Sequence, residues 1–194
     1  MLPSEQQRIA TSITEVAHGD NLQAVIDLAS ELAREGWQDH GYFMAQVEGH
    51  AKVLTSNAVS QRVAVNLEVN EGQQYCFGEI TFKRNKVIKD ETLRAFFPIT
   101  RGEMSSRKQM AAGLESLKTA YDELGYLNFL SIPNPTVDDQ SGSVSFEIDL
   151  DEGKQFHFKT LNLVGFDEDA RQKLLSDFPA GQIYNRNLLK PRYK

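Results

Sequence analysis

The chain says the same thing twice. Asn70-Glu71-Gly72-Gln73-Gln74-Tyr75 is answered by Asp151-Glu152-Gly153-Lys154-Gln155-Phe156, an offset of 81 that then holds without a gap to Phe97-Pro98 and Phe178-Pro179. The offset also reaches backward. Val63, Val65, Leu67 and Val69 alternate with polar residues, as do Val144, Phe146, Ile148 and Leu150, and such alternation marks a strand with one buried face. Further upstream Gly41-Tyr42 matches Gly125-Tyr126 at an offset of 84, so the first copy has gained three residues between its tyrosine and its alternating strand. Length variation of that kind belongs to a loop. A repeat of this period confines the chain to one small module used more than once.

Within the repeat, Tyr75 to Phe82 reads as a strand whose apolar parity shifts around Gly78, which predicts a bulge or a strand entry there. Lys89 to Phe97 predicts a short helix, opened by acidic residues that suit the positive end of a helix dipole and stopped by Pro98. From Ser105 or Ser106, either a good N-cap, a long helix runs to about Leu124 with Met110, Leu114, Leu117 and Tyr121 as its apolar stripe, and Gly125 ends it. Tyr126 to Ile132 begins a strand that Pro133 and Pro135 interrupt, and Asp138 to Gly142 turns the chain into the alternating strand Val144 to Leu150.

The predicted class is α+β. Tandem β-α-α-β-β units each form a three-stranded mixed sheet covered on one face by two helices. Residues 1–74 make a unit lacking its first strand, with a first helix, a second over Asn21 to Glu35 (Leu22, Ile26, Ala29 and Ala33 inward) ended by Gly36-Trp37, and strands at Tyr42 to Leu54 and Val63 to Val69. Residues 75–155 are complete. Residues 156–194 begin a third unit, with a strand over Phe156 to Val164 and a helix over Asp167 to Phe178, then stop. Open edges follow from such a cut, and the strand Phe156 to Val164 of one copy is expected to suit the vacancy in the first unit of another, a swapped dimer.

A formal charge of -6, from 21 Lys+Arg against 27 Asp+Glu, argues against a nucleic-acid backbone as ligand. The start Met1-Leu2-Pro3-Ser4-Glu5 has no basic stretch followed by an apolar core, and no run reaches the ~20 apolar residues a membrane-spanning helix requires. The fragment is expected to be soluble. Enzyme chemistry finds no constellation: His18, His40, His50 and His157 are scattered, and no pair has metal-binding helical spacing. Asp138-Asp139 and Asp149/Asp151 fall in turns or on outward strand positions, and no phosphate-cradling glycine loop occurs. Cys76, the single cysteine, sits in a strand pattern and is expected to be buried. No catalytic residue, metal or cofactor is predicted.

One pattern resembles a known family. Glu71-Gly72-Gln73-Gln74-Tyr75-Cys76-Phe77-Gly78-Glu79-Ile80-Thr81-Phe82, then a helix ending at Phe97-Pro98, Gly102, and a long helix closing with Tyr121-Asp122-Glu123-Leu124-Gly125-Tyr126, is similar to the POTRA (polypeptide-transport-associated) domain. After the strand, where such domains carry Gly-Asn, this chain has Arg84-Asn85 and Gly165-Phe166, and Trp37 replaces the tyrosine of the closing helix in the first unit. The resemblance implies a periplasmic, non-catalytic array associated with the outer membrane and placed ahead of a β-barrel. Its implied partners are unfolded or extended outer-membrane client polypeptides and accessory assembly proteins. It also implies β-augmentation, in which a client adds to an exposed sheet edge through main-chain hydrogen bonds.

Such units place the first strand of the closing hairpin at the edge. Pro133 and Pro135 blunt that strand in the middle unit, because proline donates nothing to a ladder. The first unit has no proline there, so the expected docking strand is Tyr42, Phe43, Met44, Ala45, Gln46 and Val47. The alternatives are a structural spacer or envelope scaffold built of the same domains, and an enzyme.

Overall fold

The computed structural model describes residues 1, 3–16, 22–56, 61–177 and 179–185. In chain order its elements are α1 (Pro3–Val16), α2 (Leu22–Gln38), β1 (Gln46–Ser56), β2 (Gln61–Asn70), β3 (Cys76–Lys83), α3 (Asp90–Ala95), α4 (Arg107–Glu123), β4 (Leu130–Asp138), β5 (Ser143–Asp151) and α5 (Glu168–Asp177). Strands β1 and β2 form a two-stranded antiparallel sheet, and β3, β5 and β4 a three-stranded one with β5 in the middle. Backbone proximity divides the chain into two units: Met1–Glu79 with Ile99–Ala111 and Pro135–Ser145, and Ile80–Pro98 with Ala112–Asn134 and the chain from Phe146 onward.

In the first unit α2 turns Ile26, Ala29, Ala33 and Trp37 inward, a three-four-four spacing that makes one stripe. Ala33, Trp37 and Ala45 form a cluster against which Ile9, Tyr42, Val47, Leu67 and Val69 pack. The hairpin presents a matched apolar face, with Val47 opposite Val69, Gly49 opposite Leu67, Ala51 opposite Val65 and Val53 opposite Val63. At Gly49 the helix comes so close that a Cβ would stand 2.6 Å from Ile26 Cγ2 and from Ser30 Oγ. Glycine is there for clearance.

The second unit is built on Leu93, Leu117, Ile148 and Leu150, all at 1% exposure or less, with Phe97, Phe129 and Phe146 around them. Tyr121 stacks on Phe129 at 4.0 Å between centroids, and Gly113 of α4 lies under the Phe97 ring. Val63, Val65, Leu67 and Val69 of β2 keep the same alternation as Val144, Phe146, Ile148 and Leu150 of β5 but are only half buried. The reason is position: among the described residues β5 has a strand on each side, whereas β2 has one.

Several local expectations are corrected. The second helix passes through Gly36 to Gln38, and Gly41 (φ +86) ends it as Gly125 (φ +84) ends α4; the expected start at Asn21 lies outside the described residues. Neither strand after those glycines begins at the tyrosine. Tyr42 N–H donates to Trp37 O and Ala45 N–H to Tyr42 O, and Tyr126 N–H donates to Tyr121 O and Phe129 N–H to Tyr126 O, so each copy makes a turn first.

Pro133 and Pro135 do not interrupt β4, which runs through both because an edge strand tolerates a missing donor on its open side. Strand β3 continues through Gly78, whose Cβ would stand 2.3 Å from Ser145 Oγ, so the close approach to β5 requires a residue without a side chain there. Cys76 is exposed, because Tyr75 and Phe77 on either side of it take the inward positions. Phe156 to Val164 is not a strand: among the described residues only His157 bridges, to Ile183. The helix that follows ends at Asp177, and Phe178 lies outside the described residues.

Candidate functional site

The expected docking residues divide between two kinds of backbone. Tyr42 to Ala45 form the turn after α2, with Ala45 buried and Met44 54% exposed, and only Gln46 and Val47 belong to β1. The strand continues to Ser56 and, among the described residues, pairs on one side with β2 alone. Its register slips between Val53 and Thr55, so the regular stretch runs from Gln46 to Val53. A bulge of this kind twists an edge and terminates regular pairing.

Along β1 lies an open groove of about 610 Å³ between the strand and α2. Ile26, Ala45 and Val47 supply its apolar floor; Asp27 and Glu31 of α2 supply carboxylates, and Glu48 of β1 stands on its strand side. Arg34 also lines it and pairs with Glu31. Asp27 accepts a hydrogen bond from Gln23 Nε2 at 2.8 Å, and Glu48 is 4.0 Å from His50 Nε2.

The repeat is also written in hydrogen bonds. Trp37 Nε1 donates to Glu71 Oε1 at 2.9 Å, and Tyr121 Oη donates to Glu152 Oε1 at 2.8 Å, so each Glu-Gly pair is gripped by the aromatic residue of the preceding closing helix. Gln74 Nε2 donates to His40 O, as Gln155 Nε2 does to Leu124 O. Tyr75 N–H donates to Gly41 O, as Phe156 N–H does to Gly125 O. Two residues further on the match continues: Phe77 N–H donates to Glu103 O and Phe158 N–H to Gln182 O.

Hydrogen bonding to Trp37 holds the Glu71 carboxyl below the usual carboxylate range, assisted by the amino terminus. Burial acts to raise Glu152, but the Val87 and Lys86 amides and the Tyr121 hydroxyl outweigh it and lower its pKa. Burial, and then Glu152, push the Tyr121 hydroxyl well above its ordinary range. These carboxylates were legible as a repeated Glu-Gly but not as acceptors, since the donating aromatics lie 34 and 31 positions upstream.

The remaining polar candidates have structural partners. Asp138 accepts from the Gln140 and Ser141 amides of its own turn, Asp149 pairs with Arg84 at 2.6 Å, and Asp151 accepts from Gly153 N–H. His40 Nδ1 lies 2.8 Å from Gly36 O, and its Nε2 lies 3.7 Å from Glu5; His18 is outside the described residues. Among the described residues no group of three or more His, Cys, Asp or Glu is placed to hold a metal ion, and no helix is long and apolar enough to cross a membrane.

Comparison with known proteins agrees with this architecture. The family described as POTRA, surface antigen variable number repeat, matches residues 75–153. A protein of Treponema pallidum described as an outer membrane protein assembly factor is 27% identical over 169 residues, 81% of this chain and 20% of that protein. The chain thus spans about a fifth of that relative's length. A crystal structure of Haemophilus influenzae BamA POTRA3-5 superposes with a TM-score of 0.66 at 21% identity, covering 88% of this chain and 68% of that one. BamA from Haemophilus ducreyi lacking POTRA domains 1-3 gives a TM-score of 0.56 at 20% identity, covering 77% of this chain and 27% of that one. At these identities the structural likeness is one of fold.

Proposed function

We propose, from the match of residues 75–153 to the POTRA family, that this chain is a non-catalytic, polypeptide-binding module of an outer-membrane protein assembly or secretion system, working in the periplasm. The proposed unit boundaries are 1–74, 75–155 and 156–194. Its clients are unfolded or extended outer-membrane polypeptides, which dock by β-augmentation; accessory assembly proteins are the other partners. The fold likeness to BamA POTRA domains and the sequence relation to an assembly factor support the setting.

The observation that carries the docking reading is the contrast between edges. Among the described residues strand β1 has one partner strand, and it holds no proline, whereas β4 holds Pro133 and Pro135. The docking track is Gln46 to Val53, entered through the turn Tyr42, Phe43, Met44 and Ala45. An NMR titration of the whole chain with extended peptides from barrel strands tests it. Shifts concentrated in residues 42 to 54 are expected; shifts confined to other residues would overturn the reading.

The second reading, a spacer or envelope scaffold, draws on the repeated grip of Trp37 on Glu71 and Tyr121 on Glu152, which tethers each connector to the helix before it. No peptide-dependent shift anywhere would favour it. A swapped dimer, with Phe156 to Val164 of one copy on the open side of β2 in another, would appear as a doubled mass in solution that rises with concentration.

A further inference from the structure

Resting on the docking reading, we propose that the groove beside β1 selects basic extended polypeptides: strands that place one lysine or arginine on the helix side and another on the opposite side, around a small residue level with Gly49.

Three observations carry this. The groove has a carboxylate excess on its helix wall, with Asp27 and Glu31 against Arg34. Arg34 is committed to Glu31, so no other cation of the lining compensates Asp27, and Glu48, 4.0 Å from His50 Nε2, adds a second carboxylate on the strand. The two carboxylates also address opposite faces of an added strand. Val47 and Gly49 take the helix side of β1, so Glu48 projects on the other. A strand laid along β1 therefore meets Asp27 with its helix-facing side chains and Glu48 with their neighbours, a cross-strand pairing in which opposite charges attract and like charges repel. The third observation is size. Ile26 and Ser30 line the groove together with Gly49, so a bulky side chain entering it at that level meets them.

The probes are two short peptides alternating valine with threonine around a central alanine. One carries lysine at two adjacent positions, and its twin carries glutamate there. Fluorescence anisotropy on the whole chain gives affinity, and amide chemical shifts give location. The lysine peptide is expected to bind about fivefold or more tightly than the glutamate twin, as two partly screened ion pairs allow. That preference should shrink with added salt and vanish in the double variant Asp27→Asn, Glu48→Gln, which keeps shape and hydrogen-bonding capacity. Equal binding of both peptides at residues 26 to 49 would overturn the basic preference and leave edge docking standing. Binding of neither, or binding elsewhere, would overturn both.

Discussion

Gly113 sits in the middle of α4, where glycine normally weakens a helix by about 1 kcal/mol relative to alanine. Gly113→Ala would ordinarily stabilise. Here the added Cβ would stand 2.2 Å from Phe97 Cδ1 and 2.6 Å from Phe97 Cε1, far inside contact distance. The ring has little room to retreat, being 3% exposed and packed 6.0 Å from the Phe82 ring. Overpacking of a close-packed core costs about 1 to 3 kcal/mol, which exceeds the propensity gain, so a net destabilisation of about 1 kcal/mol is expected. Urea unfolding followed by circular dichroism, with native-state amide exchange of α4, measures it. The decisive comparison is a double-mutant cycle with Phe97→Leu. Removing the ring relieves the clash, so Gly113→Ala should become neutral or stabilising in that background, a coupling of about 1 to 2 kcal/mol. Stabilisation by Gly113→Ala in the unaltered protein, or a coupling near zero, would refute the reasoning.

Leu117→Ala, at a fully buried site, should cost about 2 to 5 kcal/mol, and Phe82→Ala, at a half-buried one, should cost less; the order of their urea midpoints checks this. Glu152→Gln should lower stability at neutral pH by roughly 1 kcal/mol, since three donors lose a charged acceptor. Because the folded protein depresses the Glu152 pKa, its contribution is present above the ordinary carboxylate range and lost as pH falls through the lowered value. The variant should therefore show a flatter acid limb in a pH titration of stability, and an unchanged limb would count against the assignment. Gly49→Val should push α2 off β1 at a cost of about 1 to 3 kcal/mol, its Cβ beginning 2.6 Å from Ile26 Cγ2. It should also shift the amide resonances of residues 26 to 49.

What could be read from the sequence was what local pattern encodes. The alternation in β2 and β5, the stripe of α4 and the cap of Gly125 each follow from residues a few positions apart. The misreadings turned on packing and pairing partners that the local pattern does not name. Tyr42 to Ala45 looks like strand by its apolar content, yet Ala45 is drawn inward by Ala33 and Trp37 of the preceding helix. Phe156 to Val164 has strand composition, but among the described residues its one bridging partner is Ile183. Pairing, not propensity, makes a strand. Cys76 turned outward because Tyr75 and Phe77 hold the core positions, a choice of register that one residue of slip reverses. In the candidate site the apolar floor was visible at Ala45 and Val47, whereas Asp27 and Glu31 joined them only through the packing of α2 on β1.

The matched seams at Gly72 and Gly153 make whole repeats exchangeable by a single recombination. Excising residues 73 to 153, one period of 81, would join Gly72 to Lys154 and leave Glu71 still bound to Trp37. Gln155 would inherit the carbonyl of His40 from Gln74, and Phe156 the carbonyl of Gly41 from Tyr75. Unequal crossing-over within such a gene would therefore shorten or lengthen the array in register, without requiring a new connector to evolve.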